Sequence, residues 1–240
     1  MNPTIRTIVL FTGAVFFGGC PNMATLQTAR TLSPGEHSQI IGGGYVKIPK
    51  TIGSIGIGAP YSQYGYRYGF MDKLDAGITI SVPGLLMVDG KYQFLDTNGI
   101  ALATGLKLGG IQSSSGSGSN KSSTLILDTA VPLYASYDVG QYLTVYLSPK
   151  YLLRIENSDT TTTSHFASGS AGIRLGNTYG VFVEGTLARD LGHKYSIIQT
   201  DVAFFFESGE GREAAKRSSP AGASYTEPES DDPPQDVIDL

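Results

Sequence analysis

The chain has 240 residues, enough for one domain with appendages; 16% of them are charged and 31 are glycine. Tyr and Phe supply every aromatic, and a single cysteine excludes both an intrachain disulfide framework and a multi-cysteine zinc site. The net charge of −4 is unevenly spread, with nine acids and three bases in residues 207–240, and no basic stripe points to nucleic acid.

In chain order, the first feature is an apolar run over residues 7–19, preceded by Arg6. It is too short to cross a bilayer as a helix and suits the core of a signal peptide over residues 1–19. Cys20 follows directly after Gly18 and Gly19. Residues 20–37 read as a linker on the periplasmic side. Then come ten segments in which polar and apolar residues alternate between turn signals. They cover 38–48, 62–70, 73–82, 84–95, 99–110, 123–136, 141–154, 164–176, 179–190 and 195–206. Most exceed the usual five or six residues of a strand in a soluble sheet and match the nine to eleven that a tilted strand needs to cross a bilayer. Residues 207–240, dominated by Pro, Ser, Glu and Asp, read as a disordered acidic tail that cannot bury enough apolar surface to fold.

The connections fall into two kinds. FMDKL (70–74), DTNG (96–99), DVGQ (138–141) and GNTYG (176–180) are tight, with Asp, Asn and Gly suited to turns. The stretches 49–62, 112–122, 156–164 and 189–194 are longer, while only Pro83 and Gly84 separate the third and fourth strands. Short turns at one end and longer loops at the other are expected of an outer-membrane barrel.

Parity sorts the side chains. One face collects Leu143, Val145, Leu147, Tyr151 and Leu153 in the seventh segment, and Tyr64, Tyr66, Tyr68 and Phe70 in the second. The other face is expected to hold a charge network of Lys47, Arg67, Asp75, Asp89, Lys91, Lys107, Asp128, Lys150, Arg174, Glu184 and Asp201. A soluble barrel would turn the apolar face inward and a transmembrane barrel outward, and alternation alone is symmetric between them. Strand length, aromatics near strand ends and the near balance of acids and bases favour the membrane form. The expected fold is therefore all-β: a ten-stranded antiparallel transmembrane β-barrel with an N-terminal lipoprotein signal and a disordered acidic C-terminal tail.

Four stretches carry resemblances. VFFGGCPNM, residues 15–23, resembles a bacterial lipoprotein signal. That likeness implies diacylglycerol attached by a thioether to Cys20 and cleavage just before it. MATLQTARTLSPGEHSQIIGGGY and YRYGFMDKLDAGI are similar to stretches of small lipidated outer-membrane barrels of unknown function, a likeness running from about Cys20 to Phe206. It implies a fold and a location, and no activity. QTDVAFFF, residues 199–206, resembles the closing-strand signal of outer-membrane barrels, with Asp201 where glycine is usual. This implies recognition by the barrel-assembly machinery. An even strand number puts both ends of the barrel on one side, so the lipid and the acidic tail are both expected in the periplasm, on a monomer among outer-membrane lipids.

Candidate chemistry is sparse. His165 and His193 fall near Ser164, Ser168, Arg189 and Asp190, from which an outer-leaflet lipid hydrolase could be assembled, but no nucleophile-elbow motif surrounds either serine. IGGGY (41–45) and SIGIGAP (54–60) precede no helical pattern, so no cofactor is expected. The reading is a non-enzymatic barrel with a structural or surface-interaction role through its loops and an interior filled by charges. Three alternatives stand beside it: a narrow pore or small-solute binder, the loop hydrolase, and a lipidated soluble barrel binding an apolar ligand.

Overall fold

Each of the ten alternating segments becomes a strand: β1 (His37–Ile48), β2 (Ile57–Met71), β3 (Leu74–Val82), β4 (Leu85–Thr97), β5 (Ile100–Ser115), β6 (Ser122–Val139), β7 (Leu143–Asn157), β8 (Thr161–Gly176), β9 (Tyr179–Asp190) and β10 (Ser196–Ser208). In this computed structural model the described residues are 23–48, 57–82, 84–115, 122–158, 160–192 and 195–208. The expected signal peptide, Cys20 and the expected acidic tail beyond 208 lie outside them. Neighbouring strands pair antiparallel, and β1 closes on β10 to complete a barrel. Several strands run further toward the long-loop end than alternation suggests. Ser115 still pairs with Ser122, and Asn157 with Thr161, because the ladder needs backbone groups and no apolar side chain.

The tight connections form as their residues dictate. Asn98 and Gly99 both take positive φ, 50° and 81°, the backbone of a two-residue hairpin turn whose twist matches its strands. Lys73, Gly140 and Gly176 provide positive φ at the other three. These turns share one end of the barrel with His37 and Ser208, which face each other across the β1–β10 seam. The longer connections share the opposite end.

The apolar parity faces outward. Ile80, Leu86, Leu106, Leu127, Leu133, Leu147, Leu187 and Val202 form an exposed aliphatic band around the wall. Toward the turn end that band gives way to exposed Tyr66, Tyr68, Phe70, Tyr92, Phe94, Tyr137, Tyr142, Tyr179, Phe204 and Phe206. The charged parity faces inward, with one exception. Lys47 is exposed on the outer face, and its neighbour Val46 is buried instead. Ile40 and Ile41 point to opposite faces and Gly42, Gly43 and Gly44 have no side chains, so β1 carries too little pattern to fix its own parity.

The larger departure concerns residues 23–36. They are no linker outside the barrel; they run through its interior from one end to the other. Met23 packs against Val46, Leu152, Phe166, Ala188 and Ile197 near the long-loop end. Leu26 joins Tyr146, Phe182 and Phe205, and Ala29 joins Ala101, Ala103 and Tyr134. At the turn end Gly35 donates to the Gly69 carbonyl and Gly69 to that of Glu36, at 3.0 and 2.9 Å, and the chain enters β1. Met23 and Ser208 thus lie at opposite ends of the barrel, whereas both chain ends were expected on the same side.

Gly69 is required by this contact. A Cβ there would collide with the Ser33 carbonyl oxygen and press on that of Leu32, both backbone atoms. Gly69→Val should therefore displace residues 33–36 at a cost of about 1–3 kcal/mol, as overpacking does. It should show as a lowered refolding midpoint and faster proteolysis between Thr31 and Glu36. A variant as stable and as resistant as the parent would contradict the packing.

Candidate functional site

Among the described residues, polar chemistry is concentrated in the lumen. Its residues divide into those that neutralise one another and those that hold the threaded segment.

The first group links strands to one another across the inner wall. Arg67 on β2 forms ion pairs with Asp75 on β3 and Asp89 on β4, and all three are buried. Lys107 on β5 faces Asp89 directly across the β4–β5 ladder. Arg154 on β7 makes a two-pronged contact with Asp128 on β6, at 2.7 and 2.6 Å. Such planar, paired donors suit a site from which water is excluded, because each carboxylate oxygen receives its own N–H. Arg174 lies at the turn end. It reaches Glu207 at 2.7 Å and stacks over the Phe205 ring at 4.3 Å.

The second group grips backbone. Glu184 on β9 accepts from the consecutive amides of Thr25 and Leu26 at 2.6 and 2.7 Å. Two successive N–H groups converge on one anion only when the backbone turns sharply, and Leu26 has φ of +42°, rare for a side chain of its kind. The Tyr146 hydroxyl and Thr186 complete the carboxylate's shell at 2.9 and 3.0 Å. Lys150 donates to the Met23 carbonyl, and to Thr25 Oγ1 and Ser170 Oγ at 2.9 and 3.2 Å. Lys91 donates to the carbonyls of Thr28 and Arg30 at 3.0 and 2.7 Å. Asp75 accepts from the Leu32 amide at 3.1 Å, Gln93 from that of Thr31 and Gln199 from that of Met23, both at 2.9 Å. Arg30 closes the turn end between Asp96 and Asp138.

Asp201 takes part differently. It accepts from Gln199 at 3.1 Å and from the hydroxyl of Tyr61, which reaches over β1 from β2. Gly44 lies beneath that crossing, and a Cβ there would strike both Asp201 and the Thr200 carbonyl. A carboxylate thus stands in the closing strand because it ties β10 to β2 across the seam.

Of the expected network, Arg67, Asp75, Asp89, Lys91, Lys107, Asp128, Lys150, Glu184 and Asp201 are buried in the lumen, Arg174 is half-buried at its rim, and Lys47 is outside. Parity did not single out Arg30, Tyr61, Gln93, Arg154 or Gln199. Arg154 shares the inward parity of Lys150 and was legible on that ground; the others matter through contacts that no local pattern encodes. The hydrolase grouping does not converge among the described residues. His165 points outward, where its Nδ1 meets the Tyr151 hydroxyl at 2.5 Å, while Ser168 and Asp190 are buried. His193 lies outside the described residues. Among those residues, no three His, Cys, Asp or Glu side chains are placed to hold a metal ion.

The enclosed space left beside the segment is small. A cavity bounded by Ala24, Leu26, Gln27, Gln63, Met87 and Lys107 has about 30 Å³, room for about one water molecule.

The class that emerges is a closed ten-stranded antiparallel barrel, apolar outside and polar inside, with its own N-terminal segment in the lumen. No protein-family model matches the chain, and no curated protein matches it. Solved structures similar to it include Ail, the attachment invasion locus protein of Yersinia pestis, at 10% identity and a TM-score of 0.38 over 73% of this chain and 99% of that one. The translocator domain of the autotransporter NalP from Neisseria meningitidis is similar at 11% identity and a TM-score of 0.42, covering 85% and 94%. The outer membrane protease OmpT from Escherichia coli is similar at 11% identity and a TM-score of 0.39, covering 76% and 100%.

Two outcomes follow from the grip on the segment. Glu184→Ala leaves two buried amides without an acceptor and should destabilise the barrel by about 2–6 kcal/mol, at about 1–3 kcal/mol for each. Denaturant titration of the detergent-folded protein reads this directly. Thr25 and Ser170 hydroxyls are 3.2 Å apart, so Thr25→Cys with Ser170→Cys should form a disulfide on mild oxidation. A pair that stays reduced would show that the segment is elsewhere.

Proposed function

We propose that this chain is a lipid-anchored outer-membrane β-barrel, sealed by its own N-terminal segment, with a structural or surface-interaction role carried by its long loops. The observation behind this reading is the inversion of polarity. A soluble barrel exposing such a continuous aliphatic band would aggregate, whereas hydrocarbon solvates it. The aromatic ring at the turn end stands where an interfacial belt belongs, at the boundary between acyl chains and headgroups. The lipoprotein-like stretch ending in Cys20 and the closing-strand signature at Gln199, Phe204 and Phe206 support the outer membrane and its assembly machinery as the setting.

The filled lumen argues against a channel. Eight strands enclose an interior that side chains just fill, and wide aqueous pores need about sixteen. With ten strands, the extra width is taken up by residues 23–36. The cavity beside the segment is water-sized, and the long-loop end is the surface on which a partner would be met.

Depth dependence tests the membrane reading. Leu147→Arg, in the middle of the outer band, should cost about 2–4 kcal/mol, and Tyr179→Arg at the rim about 0–1 kcal/mol. Folding into lipid vesicles followed by denaturant titration measures both. Equal costs at the two positions would favour a soluble barrel tethered by its lipid. The seal is tested in planar bilayers. The full chain should be silent and a variant lacking residues 23–35 should conduct; steady conductance by the full chain would refute closure.

A further inference from the structure

We propose that the barrel lumen serves as a passage for the chain's own N-terminus, which leaves at the long-loop end, opposite the exit of the acidic tail. Taken with the lipid anchor of the preceding reading, on which this consequence rests, the acyl chains on Cys20 would enter the leaflet at the long-loop end. The barrel would then be pinned to the membrane from the side that carries its loops.

The argument is one of covalent reach. Met23 is fixed among Val46, Phe166, Ala188 and Ile197, and its amide and carbonyl are held by Gln199 and Lys150. From Ile197 to Ser208, β10 runs about 37 Å at the usual rise per strand residue, or about 26–30 Å along the axis of a barrel with strands tilted by about 35–45°. Cys20 is three residues before Met23 and can lie at most about 10 Å from it. It therefore cannot regain the turn end. The way back is also occupied: Leu26, Ala29 and their surroundings are packed, and the wall is closed by ten paired strands. At the other terminus Ser208 meets His37 at 2.6 Å at the turn end, so residues 209–240 depart from there.

The direction of the segment is specified along its length. Successive residues from Met23 to Leu32 bond to Gln199, Glu184, Ser136, Gln93 and Asp75, on five different strands. One directed path satisfies these donors and acceptors.

Three single-cysteine proteins in a Cys20→Ala background test the topology: Asn22→Cys, Ser119→Cys in the loop after β5, and Ser230→Cys in the tail. Each is made in a diderm bacterium and treated with a membrane-impermeant maleimide before and after permeabilisation. Position 22 is expected to label with position 119 and apart from position 230. Labelling of position 22 with position 230 would overturn the proposal, as would protection of position 22 on both sides. Metabolic labelling with palmitate, compared between the parent and Cys20→Ala, tests the anchor separately. Loss of label in the variant supports the lipid consequence, whereas retained label refutes it without affecting what the maleimide reports about threading.

Discussion

A strand wall with its apolar face outward has to satisfy a polar interior without help from bulk water. Backbone groups of the wall are paired by barrel closure, so the demand falls on side chains. In a barrel of eight strands those side chains meet across the axis. Ten strands set them further apart, and buried polar groups without partners are costly. Residues 23–36 resolve this by bringing a run of amides and carbonyls into the middle of the lumen. The interior charges then have something to bind other than one another.

That division explains why the network has its composition. Arg67 with Asp75 and Asp89, and Arg154 with Asp128, are self-contained groups that would neutralise the wall with or without a segment. Lys91, Lys150, Gln93, Gln199 and Glu184 instead address backbone atoms, and a lysine offers three donors on a flexible stem for scattered carbonyls. Asp75 joins the two groups, pairing with Arg67 while accepting the Leu32 amide. The Leu26 conformation shows how firmly the segment is held. A left-handed backbone at a branched aliphatic residue costs of order 1–3 kcal/mol, offset here by two amides on one carboxylate.

The wall was readable from sequence because each strand repeats every two residues over a length that chance does not sustain. Which face turned outward was less readable, since alternation looks the same from either side, and β1 shows the limit. With paired isoleucines and three glycines it offered no pattern, and Lys47 fell on the wrong parity. The threaded segment was illegible for a different reason. Its partners on the wall lie between 33 and 176 residues away, and no local period records such contacts. In retrospect a signal existed in what the stretch lacks. Between Met23 and Glu36 only Arg30 and Glu36 are charged, unlike the acidic tail that solvent was expected to keep unfolded.

The order in which the molecule can be built follows from the same segment. Met23 and Gln199 are bonded across 176 residues, so the first of the described residues completes its bonding only when the last strand exists. In the finished barrel the segment is held to the turn end through Gly69 and to five strands along the lumen. Shutting the β1–β10 seam around a segment already in place lets all of these contacts form together. Contacts of such sequence separation make for slow folding, and until they form the lumen charges face one another unscreened by backbone. In that order, closure is a single late event that reports on the whole chain at once.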